Sequence, residues 1–147
     1  MLSTIEKVII LKDVDLFAGT PDDLLAEVAG LLAEVECVPG QAIFAKGDAG
    51  DSLYLIVSGE VRIHDGDYTI NLLGETEVFG EMALLDPEPR MASATAASDA
   101  LLLRLDQEPF FELMDTRSEV ARGIIRVLSA RLRQRVSEVA TLRGAQA

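Results

Sequence analysis

The chain has 147 residues, 49% hydrophobic and 26% charged, with 25 acidic residues against 13 Lys/Arg for a formal charge of −12. This is the size of one ordinary domain, with enough apolar content for a packed core, and the composition excludes a disordered chain. No apolar run is long enough to span a bilayer, the first residues carry no signal-peptide pattern, and a single cysteine, Cys37, allows no internal disulfide. Cys37 is read as a core or strand-face thiol. The charge is uneven: residues 1–116 hold six Lys/Arg and 23 Asp/Glu, a net of −17, while residues 117–147 hold seven Arg and two Glu, a net of +5. The acidic body argues against a general nucleic-acid surface, and the arginines of the tail are spread around a helix.

In chain order, residues 3–17 read as a short helix, with Ile5, Val8, Ile9, Leu16 and Phe17 on an approximate stripe. Thr20-Pro21-Asp22-Asp23 reads as a helix start, with Thr20 as N-cap, and the helix is expected to run through Leu24, Leu25, Val28, Leu31 and Leu32 to about Glu34. From Val35 the period changes. Strands are expected at Val35–Cys37, Ala42–Phe44, Ser52–Val57, Glu60–His64, Tyr68–Leu73, Ala92–Ala97 and Leu101–Leu105. Pro39-Gly40, the Gly/Asp cluster 46–51, Ser58-Gly59 and Asp65-Gly66-Asp67 supply the turns. Short strands at this spacing predict an antiparallel double-sheet roll, so the fold class is α+β.

The last third returns to helix. Asp106 is placed as a cap ahead of Glu108 and Pro109, Asp115-Thr116-Arg117 as a break, and Ser118 as the cap of a final helix. Ile124, Ile125, Leu128, Leu132, Val136, Val139 and Leu142 keep three- and four-residue spacing along it. The stripe outruns ordinary core packing, so its far half is expected against a second copy of the chain or an adjacent domain.

The most informative stretch is Phe79-Gly80-Glu81-Met82-Ala83-Leu84-Leu85-Asp86-Pro87-Glu88-Pro89-Arg90-Met91-Ala92-Ser93. Gly80 lets a ligand approach the backbone, and Glu81–Leu85 reads as one helical turn whose start exposes N–H groups suited to an anion. Asp86-Pro87-Glu88-Pro89 ends that turn. Arg90 is the only Lys or Arg between Arg62 and Arg104. A lone arginine just past such a start is a candidate phosphate clamp, because it stays charged and its planar fork can grip two oxygens. Separately, Glu81 also fits a first-turn glutamate favoured by the helix dipole and Arg90 a solvated loop charge; together at this spacing they point to ligand contact.

This stretch resembles the phosphate-binding cassette of cyclic nucleotide-binding domains, found in cyclic-nucleotide-dependent kinases, gated channels and catabolite-activator-type regulators. Pro39-Gly40, Gly47-Asp48…Gly50-Asp51 and Val57-Ser58-Gly59-Glu60-Val61 are similar to that family's roll turns, so the resemblance covers nearly the whole chain. It implies one domain over 1–147: N-terminal helices at 1–34, a β-roll at 35–105 with the cassette at 79–93, and hinge and lid helices at 106–143. By resemblance, Gly80, Glu81, Met82, Ala83, Arg90, Met91 and Ala92 hold the ribose and cyclic phosphate, Glu81 taking the ribose 2′-hydroxyl and Arg90 the phosphate. Val61, Ile63, Leu72 and Leu73 are candidates to pack on sugar and purine, and Leu132, Arg135 and Val136 to cover the base. Met91 has no hydroxyl, which favours cAMP over cGMP; Ser93 could supply one nearby. The resemblance implies a cytoplasmic regulatory module that moves its C-terminal helices on binding, not an enzyme, with no cofactor beyond the nucleotide.

Competing classes leave weaker traces. A metal-holding roll would want several imidazoles, and His64 is the only histidine, in an alternating strand that suits a structural role. No Ser/His/Asp set or P-loop is present, so no catalytic or metal-ligating residues are assigned. Ending at Ala147 directly after the long helix, the chain is expected to bind no DNA by itself. A ligand-free scaffold or dimerising module of the same fold is the alternative that stays open.

Overall fold

The computed structural model describes residues 1–146; Ala147, the last residue of the expected domain, lies outside them. Helix α1 (Thr4–Lys12), a 3-10 turn (Asp15–Phe17) and helix α2 (Asp22–Ala29) lead into ten strands. These are β1 (Ala33–Cys37), β2 (Ala42–Phe44), β3 (Ala49–Gly50), β4 (Ser52–Ser58), β5 (Val61–Asp65), β6 (Tyr68–Leu73), β7 (Val78–Phe79), β8 (Glu88–Pro89), β9 (Ser93–Ala96) and β10 (Ala100–Asp106). A short helix α3 (Glu81–Leu85) interrupts them between β7 and β8, and helices α4 (Gln107–Thr116) and α5 (Ser118–Gln146) close the chain. One antiparallel sheet has the order β1-β10-β4-β7, a second β2-β9-β5-β6, and the small pair β3-β8 makes a third. This is the antiparallel roll with helices before and after it.

The apolar runs of β4 and β10 are continuous because both faces of their sheet are covered. Leu53, Leu55, Leu103 and Leu105 point to a core shared with α1, α2, α4 and the start of α5. Ile56 and Leu102 point the other way, into a second core inside the roll with Val61, Phe79, Ala94 and Ala96. Phe17 and Phe110 meet edge-on in the first core, ring centroids 5.9 Å apart, and tie the N-terminal turn to α4.

Several boundaries differ from the sequence reading. The first helix stops at Lys12, and residues 15–17 form a separate 3-10 turn. Its start is fixed by a Ser3/Glu6 capping box. Pro21, not Thr20, occupies the N-cap position of α2, and the Thr20 hydroxyl is buried without a partner. That helix ends at Ala29, capped by Gly30, because from Ala33 the chain pairs with β10; Glu34, expected in helix, sits opposite Leu103. The Asp106 side chain accepts from Ser52 Oγ (2.7 Å) and Arg104 Nε (3.0 Å), leaving only its backbone as the α4 cap. Asp115 and Thr116 remain helical, so the break between α4 and α5 is Arg117 alone, at φ −127°, ψ 79°.

Two adjacent phenylalanines in α4 have opposite environments: Phe110 is fully buried, Phe111 37% exposed. Phe110→Ala should lower the unfolding free energy by about 3–5 kcal/mol and Phe111→Ala by less than about 1 kcal/mol in urea titrations.

Candidate functional site

A cavity of about 470 Å³ opens beside α3, walled by β7, α3, the 86–92 segment and Phe44 of β2. Gly80 starts it. At φ +76° it turns β7 into α3 through a left-handed conformation that a side chain would strain. Of the cassette residues singled out in the sequence, Gly80, Glu81, Met82, Ala83, Arg90, Met91 and Ala92 all line the cavity, as does Ile63 of the base candidates.

The other expected contacts lie elsewhere. Val61 is spent in the roll core, Leu73 is also buried against it, and Leu72 faces outward at 51% exposure. Leu132, Arg135 and Val136 are exposed on α5 and do not line the cavity, because α5 packs on α4 and the 3-10 turn. Ser93 is outside the lining, its hydroxyl accepting the Lys46 N–H at 2.9 Å. At the helix start read as exposing N–H groups to an anion, the Ala83 N–H donates to the Gly80 carbonyl at 3.2 Å. His64 is absorbed structurally, its ring nitrogens 2.8 Å from the Gly66 carbonyl and from Thr95 Oγ1.

Arg90 is held by its backbone and by its side chain. Its N–H donates to the Asp48 carbonyl and its own carbonyl accepts from Gly47, both at 2.8 Å, so the turn after β2 clamps the residue. The side chain is only 9% exposed. Nη2 donates to the Ser52 carbonyl at 2.9 Å, and the guanidinium carbon lies 4.2 Å from the centroid of the Phe44 ring. Gly50 and Gly80 make room for it: a Cβ on either would come within 2.6 Å of an Arg90 nitrogen. Nε is buried with no hydrogen-bond partner, and no carboxylate among the described residues forms an ion pair with this guanidinium. Burial lowers its pKa from the ordinary arginine value, with Tyr54, Asp51 and Asp48 pulling weakly the other way.

Glu81 is engaged by a residue the sequence reading did not single out. Arg131 of α5 donates from Nη1 to Glu81 Oε1 at 2.6 Å, and from Nε and Nη2 to Asp15 Oδ2 at 3.0 and 2.8 Å. These bonds raise the Arg131 pKa above the ordinary arginine value, the Glu81 bond contributing most and Asp15 next. One guanidinium therefore joins the 3-10 turn, the cassette helix and the final helix. Its partners lie 50 and 116 residues away along the chain, and no spacing signal distinguishes it from the other arginines of the tail.

The chain is an antiparallel roll in which a buried arginine and a glycine-led turn border one cavity. The comparisons supply its family: residues 34–117 match the family described as "Cyclic nucleotide-binding domain", and the chain belongs to it. The CRP-like cAMP-activated global transcriptional regulator of Mycobacterium tuberculosis is 32% identical over 138 residues, covering 90% of this chain and 62% of the relative. The cyclic AMP receptor protein of Thermus thermophilus is 44% identical over 100 residues, covering 65% of this chain and 46% of the relative. The chain therefore spans about half to two-thirds the length of these relatives. A solved structure of the N-terminal domain of a transcriptional regulator from Streptomyces coelicolor A3(2) matches with a TM-score of 0.81 at 32% identity, over 88% of this chain and 94% of that one.

The Asp15–Arg131–Glu81 link is partly exposed, so its contribution is modest. A double-mutant cycle of Asp15→Ala and Arg131→Ala should give a coupling of about 0.5–1 kcal/mol in urea unfolding, falling at high salt.

Proposed function

We propose that this chain is a cyclic-nucleotide sensor module, with cAMP preferred over cGMP, that transmits occupancy through α5. The single observation that carries the reading is Arg90: a desolvated cation with an unpartnered Nε and no anion of its own. A buried charge left unpaired is unfavourable, and a monoanionic cyclic phosphate entering the cavity beside it would relieve that penalty. A cavity of about 470 Å³ lies within the range of small-ligand sites. The two cAMP-named relatives, from Mycobacterium tuberculosis and Thermus thermophilus, support the ligand class.

Within this reading Arg90 takes the cyclic phosphate and Glu81 the ribose 2′-hydroxyl, with Gly80, Met82, Ala83, Met91 and Ala92 completing the wall. Only Glu81 Oε1 is occupied by Arg131, so the carboxylate retains acceptor capacity. No serine or threonine lines the cavity, and the Ser93 hydroxyl is already bonded, which favours adenine over a guanine that a hydroxyl would help to recognise.

The Arg131 bridge supplies the route from ligand to helix. A ligand that shifts Glu81 changes the interaction holding α5, and Arg117 is the hinge about which α4 and α5 reorient. Helix α5 exposes Ile125, Leu132 and Val139 at seven-residue spacing along its length, with Leu142 beside them, a seam suited to a second copy or a neighbouring domain. The module is read as regulatory and cytoplasmic, with no DNA contact assigned to its acidic body; no described helix is long and apolar enough to cross a membrane. The exposed seam also suits the ligand-free dimerising module, so binding must be measured directly.

Calorimetric titration with cAMP and cGMP is expected to give saturable heat, stronger for cAMP; no heat from either overturns the sensor reading. Arg90→Ala should weaken cAMP binding by about 2–4 kcal/mol. Glu81→Ala should weaken it less and erase the preference for cAMP over its 2′-deoxy analogue; undiminished discrimination removes Glu81 from the ribose.

A further inference from the structure

A guanidinium as buried as Arg90 must be held in place by something, and the usual holder, a carboxylate, would neutralise it and compete with an incoming anion. The nearby acids act on it only through space: Asp48 Oδ2 accepts the Ala45 N–H at 2.9 Å, and among the described residues neither Asp48 nor Asp51 forms an ion pair with the guanidinium. The Ser52 carbonyl binds one nitrogen, Nη2, and the glycines only provide space. What lies against the guanidinium instead is the Phe44 ring, 4.2 Å from ring centroid to guanidinium carbon.

We infer that Phe44 is the positioning residue for Arg90, holding the guanidinium in the cavity wall by its ring face while leaving the positive charge free for an anion. The inference rests on the reading of Arg90 as an anion clamp. An aromatic quadrupole attracts a cation but carries no net charge, so it steadies the arginine without competing for it as a carboxylate would. The ring is itself braced. Phe44 lies 6.0 Å from both Tyr54 and Phe79, which stack on each other at 5.1 Å, and its backbone pairs with Ala94 of β9. The three rings and the arginine form one block spanning both main sheets. Phe44 also lines the cavity, so the same ring bounds the ligand space. Without the ring's attraction, the guanidinium is free to turn toward Asp86 and Glu88, which line the same cavity, and ligand binding must then recover it.

The decisive test varies the quadrupole and little else. In the full chain, Phe44 is replaced by mono-, di- and trifluorophenylalanine, and each protein is titrated with cAMP by calorimetry. The dissociation constant is expected to rise stepwise with fluorine number, by roughly 5- to 30-fold at trifluoro, while the melting curve changes little. Phe44→Leu should lose at least as much as the trifluoro variant. A flat fluorine series in a protein that binds cAMP overturns the inference and leaves the sensor reading intact. If the parent binds neither cAMP nor cGMP, the sensor reading fails. The placement is then decided by NMR of the ligand-free protein: Arg90 side-chain resonances should be displaced upfield by the Phe44 ring current and return in Phe44→Leu. Arg90 resonances that are unshifted in the parent overturn the inference.

Discussion

Arg90 is the constraint around which this protein is arranged. A guanidinium 9% exposed and without an ion-pair partner among the described residues is unfavourable unless its surroundings hold it in place. The surroundings are built for that. Gly50 of β3 and Gly80 at the start of α3 clear space, the Ser52 carbonyl accepts one N–H, Phe44 covers a face, and the turn after β2 clamps the backbone. The roll brings these segments together, so its topology is the precondition for the site. The net charge of −12 sets the arrangement off: the cavity holds a local cation inside an acidic body.

A second arginine gives the molecule its continuity. Arg131 joins the cassette glutamate to the N-terminal turn, so α5 is connected to the cavity wall by charge. Beneath it, Gly19 and Gly123 bring the 3-10 turn region and α5 into backbone contact, where a Cβ on Gly123 would lie 2.9 Å from the Gly19 carbonyl oxygen. Helix α5 therefore has a small-residue contact near its base, a charged attachment halfway along, and an apolar seam beyond. Glu81 thus meets α5 near the middle of that helix, at the Arg131 bond.

Most of the fold was legible because its signals are local. Alternation marked β5, glycine and proline marked the turns, and continuous apolar runs marked β4 and β10. The errors fall where distant pairing overrode local propensity: Leu31 to Glu34 read as helix until β10 was available as a partner for Ala33 onward, and Asp106 read as a side-chain cap until Ser52 and Arg104 were brought beside it. The lid residues illustrate the same limit. Periodicity showed that α5 had an apolar stripe, but not which element that stripe would face.

By itself the sequence determined the order of the main helices and of the seven longer strands, though not the two-residue strands β3, β7 and β8, together with the acidic body and its basic tail, and a cassette whose Gly80, Glu81 and Arg90 lie within eleven positions of one another. Spacing within one short segment survives folding because the intervening chain limits how far its residues can separate. Tertiary structure alone decided what surrounds them. Ser52 is 38 residues from Arg90 and Arg131 is 50 from Glu81, while Phe44 reaches Arg90 through the pairing of β2 with β9 and the bonds of the turn after β2 to the Arg90 backbone. Contacts at such separations leave no periodic trace, since they depend on how two sheets close over one another and not on the rise of any single element.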